Sequence, residues 1–346
     1  MKASTMTLPA LSSDTPTSGS VWPLPIEPAR VPQALGGSQS ISVLILTKNE
    51  ERDLPACLAA VSWSDDIHVY DSLSTDHTVE IAKAHGAQIT PRRFDNWSAH
   101  QNWGLGHVPF RHPWVLYVDA DERVTPALHE GLLAAVADPG DRVAFRIERH
   151  DHFMGRWLKH VQATSSYIRL FKPEHVHYER LVNPVTLVDG PVGDATGCLD
   201  HFPFSKGIDQ WFERHNGYSH MEAEQILADR AAGSSFSVFK ALFGATPQER
   251  RHHQKEIFHR LPFRPTLQFL LLYVAKRGFL DGRAGYTYAR MRSIYEAMIE
   301  MKVADLIEIQ HQAEKAPGYK AAEPGLLSPR MALATPTALA LPSQKT

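Results

Sequence analysis

Two carboxylates one residue apart, Asp119 and Asp121, end the apolar run Trp114-Val-Leu-Tyr-Val118. Crowded carboxylates repel each other unless a cation joins them. Oxygen ligands of this kind suit Mg2+ or Mn2+, often shared with a substrate phosphate. A solvated turn after a strand gives the same residues, since Asp is common in turns. Position separates the two readings. The run before Asp119 is apolar on both faces, as in a buried parallel strand. Open α/β sheets bind ligands just beyond the carboxyl ends of such strands. If the chain stays extended to Asp121, side chains at i and i+2 point to one side.

The elements that must hold this pair can be read upstream. Ile41-Ser-Val-Leu-Ile-Leu-Thr47 is a first strand. The polar loop Lys48 to Asp53 follows, with Asp53 as N-cap of a helix from Leu54 and Pro55 in its first turn. Leu54, Leu58 and Val61 share one face of that helix. A second strand, Asp66 to Tyr70, ends at Asp71, and a hydroxyl-rich turn leads into a helix from Val79 that Gly86 closes. A short strand over Ala87 to Thr90, a helix starting at Trp97 with Gln101 and Asn102, the strand into Asp119, and a helix over Pro126 to Val136 complete the series. Alternating strands and helices predict an α/β fold, a parallel sheet with helices on both faces. Thr47, Asp71 and Asp119 would then line one edge of that sheet, around a crevice of nucleotide size.

From Arg142 the pattern changes. Val143–Ile147 and Tyr167–Phe171 read as strands around an aromatic and basic loop, Phe153–Lys159. An amphipathic helix is predicted over Ile208–Leu227, its aromatic face serving mainly as core. A last helix carries an apolar stripe at Met291, Ile294, Met298 and Met301. Between these helices, residues 250–283 hold eight Lys or Arg against two acidic residues, with Phe and Leu interleaved. That composition fits either a solvated basic face or a segment lying on an anionic membrane surface. His150-Asp-His152 and His175-Val-His177 are i, i+2 pairs that a strand could turn toward a transition metal. No third and fourth ligand follows at a recognisable spacing, so hydrogen-bonding roles are expected and zinc is not.

Composition sets the bounds. The 346 residues, 43% of them hydrophobic, are enough for a sizeable core. A net charge of −2 argues for no particular partner, and no nucleic acid is expected. Two distant cysteines, Cys57 and Cys198, give no disulfide framework and fit a reducing compartment. No secretory signal opens the chain, and no apolar run reaches the roughly 18 residues of a membrane span. Residues 1–39 and 313–346 are rich in Pro, Ser and Ala and read as a disordered arm and tail. Between them, 40–205 reads as the α/β domain and 206–312 as a helical region.

Three motifs together resemble the family 2 inverting glycosyltransferases of the GT-A fold: Ile41 to Glu51, Tyr70 to Thr78, and Val118-Asp-Ala-Asp-Glu122. Downstream, His177-Tyr-Glu-Arg-Leu181, Asp200-His-Phe-Pro-Phe204 and Gly278-Phe-Leu-Asp-Gly282 are similar to bacterial enzymes of lipopolysaccharide-core and exopolysaccharide assembly. The resemblance spans about residues 40–310. It implies transfer of a sugar from a nucleotide-sugar, UDP-linked by expectation, to a glycan or lipid-linked acceptor. The setting would be the cytoplasm, with the inner face of the cytoplasmic membrane as a candidate surface. By the same resemblance Thr47 and Glu50 border the base and ribose, Asp71 accepts from the uracil ring, and Asn102 packs under the nucleotide. Asp119 touches the ribose or a metal-bound water, and Asp121 ligates Mg2+ or Mn2+ on the diphosphate. Leu73 and His77 stand where the family usually has small residues or Gly. The Gln-x-x-Arg-Trp element of processive synthases is missing, which implies transfer of a single sugar.

The chemistry also needs a base for the acceptor hydroxyl and donors for the departing phosphate. Glu179 is the expected base, with Asp200 and Asp151 behind it; Arg156 and Arg180 are candidate donors. His201 reads as a third metal ligand or as a hydrogen-bonded structural His. Two alternatives share the acidic crevice: a nucleotidyltransferase, and a non-catalytic subunit that binds sugar nucleotides or glycans. The first lacks its usual glycine- and arginine-rich loop, since Lys48-Asn-Glu-Glu51 stands there. The second leaves both carboxylates and the base without a purpose.

Overall fold

The computed structural model describes residues 41–179, 185–231, 233, 237–244 and 247–315, all within one compact unit. The expected arm, Arg180 and most of the expected tail lie outside the described residues.

The chain alternates as its periodicity predicts. β1 (Ile41–Thr47), α1 (Leu54–Ala60), β2 (Ile67–Asp71), α2 (Thr78–Ala84), β3 (Gln88–Pro91), α3 (Trp97–His107) and β4 (Trp114–Asp119) come first. β5 (Glu122–Val124), α4 (Pro126–Ala137), β6 (Ala144–Phe153), β7 (Arg156–Trp157), β8 (Ser165–Phe171), β9 (Val176–Glu179), β10 (Val185–Val188) and β11 (Val192–His201) follow. The main sheet runs β3-β2-β1-β4-β8-β6-β11-β5, with β7 paired to β6. β3, β2, β1 and β4 are parallel. β8 is antiparallel to β4 and β6, and β11 is parallel to β6.

β1 and β4 are buried on both faces, as central parallel strands must be. Ile41, Val43 and Ile45 pack with α1, α2 and α4 on one side of the sheet. Leu44, Tyr70 and Val115 pack with Trp103 and Leu105 of α3 on the other. The register aligns the strand ends. Thr47 lies opposite Asp71, and Leu46 lies opposite Asp119. The polar edge read from three separate segments is therefore one continuous edge.

The helical region comprises α5 (Gly207–Ala231), α6 (Val238–Phe243), α7 (Pro247–Phe258), α8 (Arg264–Leu270) and α9 (Gly282–Lys315). α5 packs on α9 through Ala223, Ile226, Ile299 and Val303. Phe153, Leu158, Val161 and Phe204 join Trp211, Leu272, Ala284 and Met291 in a core that ties the helices to the sheet. Asp281 adds a polar fastening: its buried carboxylate accepts from the backbone N–H groups of His160 and Val161 at 2.9 and 2.8 Å. The Gly278–Gly282 motif thus holds the two regions together.

Four local readings need correction. Asp53 stands at the N-cap of α1 but makes no capping bond; its carboxylate binds Ser205 at 2.6 Å instead. β6 runs past the expected end at Ile147 to Phe153, so Asp151 lies on the strand. α9 buries Met291, Ile299 and Val303 and leaves Ile294 and Met301 exposed, so its apolar face is rotated from the methionine stripe. It also continues to Lys315, past the expected boundary at 312. Among the described residues no helix is long and apolar enough to cross a membrane.

Candidate active site

Beyond Asp119 the chain turns at Ala120 and Asp121 and re-enters the sheet as β5. Each carboxylate of the pair has its own cation. Asp119 accepts from Tyr117 Oη at 2.6 Å and from Arg169 Nη2 at 2.7 Å. The same Arg169 nitrogen donates to Glu122 Oε1 at 2.8 Å, and Glu122 Oε2 accepts from the Asp119 backbone N–H at 3.0 Å. Glu122 is completely buried and also faces Arg149 at 3.7 Å. This brace of Arg169, Arg149 and Glu122 fixes the turn from behind. A buried carboxylate is tolerable only with such partners.

Asp121 points the other way, toward His201 on β11, with Oδ2 3.3 Å from Nε2. The second nitrogen, Nδ1, lies 2.5 Å from Asp151 Oδ1 on β6. The pairing of β6 with β11 sets His201 directly opposite Asp151. Burial and Arg149 both disfavour a charged imidazole here. Asp121 and Asp151 outweigh them and raise the His201 pKa to about 9. Burial opposes ionisation of Asp121 as well, yet His201, Arg149 and Arg123 hold its carboxyl well below the usual range. Asp151 is also held ionised against burial, by His201 and by Arg149 at 3.0 Å. Its Oδ2 takes the side-chain amide of Gln162.

Asp119, Asp121, Asp151 and His201 open onto one cavity. Trp97, Gln101 and Tyr178 line its sheet side, and Trp211, His215, Tyr288 and Arg292 of α5 and α9 form its helical wall. Carboxylates and an imidazole therefore face aromatic rings and a guanidinium across a single space. Such a space suits a sugar between a charged and an aromatic surface.

Residues 42–190 match the family model described as glycosyl transferase family 2. The uncharacterized glycosyltransferase RP128 of Rickettsia prowazekii is 32% identical over 214 residues, covering 58% of this chain and 72% of that protein. The chain belongs to glycosyl transferase family 2. It is a glycosyltransferase, not a nucleotidyltransferase or a non-catalytic subunit. The lipopolysaccharide core biosynthesis glycosyltransferase LpsC of Rhizobium meliloti is 26% identical over 276 residues, 76% of this chain and 91% of that protein. A solved glucosyl-3-phosphoglycerate synthase from Mycobacterium tuberculosis aligns at 20% identity and TM-score 0.27. That alignment covers 34% of this chain and less than half, 45%, of the synthase.

Within this glycosyltransferase the expected site residues divide. Asp119 and Asp121 line the cavity. Thr47 and Asp71 meet at the neighbouring strand ends, Oγ1 to Oδ1 at 2.8 Å, and Ser74 closes on the same carboxylate at 2.8 and 2.5 Å. Leu73, in the turn they hold, has φ 62°, the left-handed region that Gly adopts without strain. Glu50 is bound by Lys206 at 2.7 Å, which opposes the burial that lifts its pKa to about 8.

Asn102, which the resemblance sets under the nucleotide, is bonded to β9. Its amide donates to the Tyr178 carbonyl and its oxygen accepts from the Tyr178 N–H, both at 2.8 Å. Both ends of Asn102 are thereby spent on docking β9 against α3. That docking turns Tyr178 into the cavity and Glu179 out of it. Glu179 is 58% exposed and lies 3.4 Å from His177, its neighbour on the outer face. It is not a cavity residue, and the alternation Val176-His-Tyr-Glu179 already carried that signal. Arg156 is exposed and lies off the cavity as well. Asp200 faces away, paired with His152 at 2.8 Å. Glu122, Arg149 and Arg169 went unassigned in the sequence. Arg149 alone carries a signal, parity, since it falls with Asp151 on the buried side of β6 beside Ile147 and Phe153.

Proposed function

We propose that this glycosyltransferase moves one sugar from a nucleotide-sugar to a glycan or lipid-linked acceptor, with inversion and with a divalent cation at Asp121 and His201. The observation that carries the reading is the chain of contacts Asp121–His201–Asp151 at the carboxyl edge of β4. A carboxylate oxygen and an imidazole nitrogen stand 3.3 Å apart, and the second imidazole nitrogen is held by a carboxylate. That is how proteins orient a metal-ligating histidine. The donor set fits a cation, and its nitrogen favours Mn2+ over Mg2+. When bound, the ion offsets the negative charge that develops on the departing diphosphate.

The chain's own residues do the rest. The edge formed by Thr47, Asp71 and Glu50 receives the nucleotide, and UDP fits the expectation that Asp71 meets the uracil. Asp119, fixed by Tyr117 and Arg169, is available to the ribose and not to the ion. Asp151 is the base: Oδ1 orients His201, and Oδ2 takes the acceptor hydroxyl in place of the Gln162 amide. Among the described residues it is the one cavity carboxylate outside the Asp119–Asp121 turn. Trp211, Tyr288 and Arg292 seat the acceptor. This divides the labour into a donor half, 40–205, and an acceptor half, the helical region from 206 to 315.

The acceptor half also presents a surface for a membrane. Leu267, Leu270, Leu271 and Val274 are exposed at helical spacing, flanked by exposed Phe263, Phe279 and Leu280. Arg260, Lys276, Arg277, Arg283 and Arg290 are exposed around them, and Asp281, the acidic residue within that stretch, is buried. Apolar side chains ringed by cations suit the headgroup layer of an anionic bilayer. A lipid-linked acceptor at the inner face of the cytoplasmic membrane accounts for both halves, and the LpsC relative, by its name, acts in lipopolysaccharide core biosynthesis.

The test is a melting-temperature screen of nucleotide sugars with and without Mn2+. A ligand that binds the native state raises its melting temperature. The expected result is a shift with a UDP-sugar that needs the metal and is lost in Asp121→Asn. A shift independent of metal, or none with any nucleotide, overturns the reading.

A further inference from the structure

The strands that carry Asp151 and His201 on one face carry a second set of donors on the other. On β6, Glu148, His150 and His152 alternate with Ile147, Arg149 and Asp151. On β11, Cys198 and Asp200 alternate with Leu199 and His201. The register places His150 opposite Asp200 and Glu148 opposite Cys198, so these side chains share a face. One ligand atom from each of His150, Cys198 and Asp200 lies within 4.8 Å of the other two. All three side chains are partly exposed, so an ion can reach them from solvent.

The surroundings are those of a held site. Asp200 Oδ1 is 2.8 Å from His152 Nε2. His150 Nε2 is 2.6 Å from Glu148 Oε1. The Trp157 ring stacks on His150 with centroids 3.7 Å apart and planes 16° apart. Outer partners of this kind fix the orientation of ligands before an ion arrives. No spacing rule links His150 to Cys198 and Asp200, which stand about 50 residues on along the neighbouring strand.

We propose that His150, Cys198 and Asp200 form a second metal site, distinct from the sugar-transfer cavity, that takes a borderline-soft divalent cation such as Zn2+. The donors are nitrogen, sulfur and oxygen, a set that selects Zn2+ or Co2+ and disfavours Mg2+. On binding, the Cys198 thiol releases its proton to solvent and its sulfur bonds the ion. His150 gives a ring nitrogen, Asp200 gives an oxygen, and water completes the tetrahedron. The ion clips β6 to β11 just after the irregularity between Asp194 and Cys198. It thereby fixes the spacing of the two strands on whose other face Asp151 meets His201.

Co2+ titration of the full chain, stripped of metal, tests this. A thiolate bound to Co2+ gives a strong charge-transfer absorption that carboxylate and imidazole ligands do not. The expected result is such a band, saturating at a single ion per chain, present in Asp121→Asn and absent in Cys198→Ser. His152→Ala, which removes the partner of Asp200, keeps the band and weakens binding by roughly 10–100-fold. Circular dichroism of the stripped variants shows that each is folded; if Cys198→Ser is not, His150→Gln and Asp200→Asn take its place, with weakened binding expected. No band in the wild type, a band that survives in Cys198→Ser, or a band lost in Asp121→Asn overturns the second site. None of these outcomes touches the Mn2+-dependent donor shift by which the transfer reaction is judged.

Discussion

Asp121 Oδ2 and His201 Nε2 face each other at 3.3 Å across the end of the sheet, although 80 positions separate them in the chain. If they share the cation, each is needed and neither replaces the other. Asp121→Asn and His201→Ala are each expected to lower turnover by about 100–1000-fold, the cost of losing a preorganised electrostatic stabiliser. Both should also abolish the Mn2+-dependent melting shift with UDP. Normal metal dependence in His201→Ala would return that residue to a purely structural role.

Asp151 and Glu179 separate by measurement. Asn at 151 still accepts from His201 but cannot take a proton. Asp151→Asn should therefore bind UDP and Mn2+ nearly as the wild type does and lose about 10²–10⁴ in transfer rate. Glu179→Gln should transfer normally, because its carboxylate lies on the outer face of β9 beside His177. The opposite pattern, an active Asp151→Asn and an inactive Glu179→Gln, would show the hairpin of β9 and β10 folding over the cavity during reaction.

Asp66 offers a test of the fold away from the chemistry. It is fully buried and accepts from Ser42 at 2.5 Å, from the Arg111 backbone and guanidinium at 2.8 and 2.9 Å, and from Gln88 at 3.0 Å. These contacts bind β1, β3 and the approach to β4 together at the end opposite the site. Burial opposes its ionisation, but the Arg111 N–H, Ser42 and the Arg111 guanidinium prevail and hold the pKa well below the usual value. A depressed folded pKa gives stability that is present above the unfolded value of about 3.9 and lost as pH falls below it. Asp66→Ala strands the buried donors of Ser42 and the Arg111 backbone and should cost about 1–3 kcal/mol in urea unfolding at pH 7. The gap from wild type should narrow below about pH 4. A constant gap down to acid pH would remove the carboxylate from the account.

What was legible in the sequence follows from what is local. β1, β2 and β4 announce themselves because a strand buried on both faces is apolar throughout, and the register of their ends follows from parallel pairing. Asp119 and Asp121 are legible for the same reason, as charges that stop such a run. Pairings between distant strands are not local. His201 meets Asp121 and Asp151 only because β11 lies beside β6, and the 50 positions between Asp151 and His201 give no hint of it. Two of the differences have simple causes. The motif points to Glu179, whereas the two-residue alternation of its strand turns that side chain outward. The methionine stripe of α9 lies about one residue, or some 100° of helix, from the face that the Ala, Ile and Val residues bury.

The exposed apolar face of α8 and of the π-helical segment after it, Leu271–Ala275, gives the last prediction. Phe263 is 78% exposed and Val274 54% exposed, so neither supports the core. Changing such residues to Ser should leave the melting temperature of the purified protein within a degree or two, since exposed side chains contribute little to folding. On vesicles the outcome should differ. Wild type is expected to sediment with bilayers containing anionic lipid and to be released by salt, because Lys276, Arg277, Arg283 and Arg290 supply the attraction and salt screens it. Phe263→Ser and the pair Leu270→Ser/Val274→Ser should each weaken that binding about tenfold or more, from the lost burial of apolar area. Equal binding to neutral vesicles would show that the cations play no part. A loss of melting temperature in the Ser variants would show that these side chains are covered in solution, and a protein surface would then replace the bilayer as their partner.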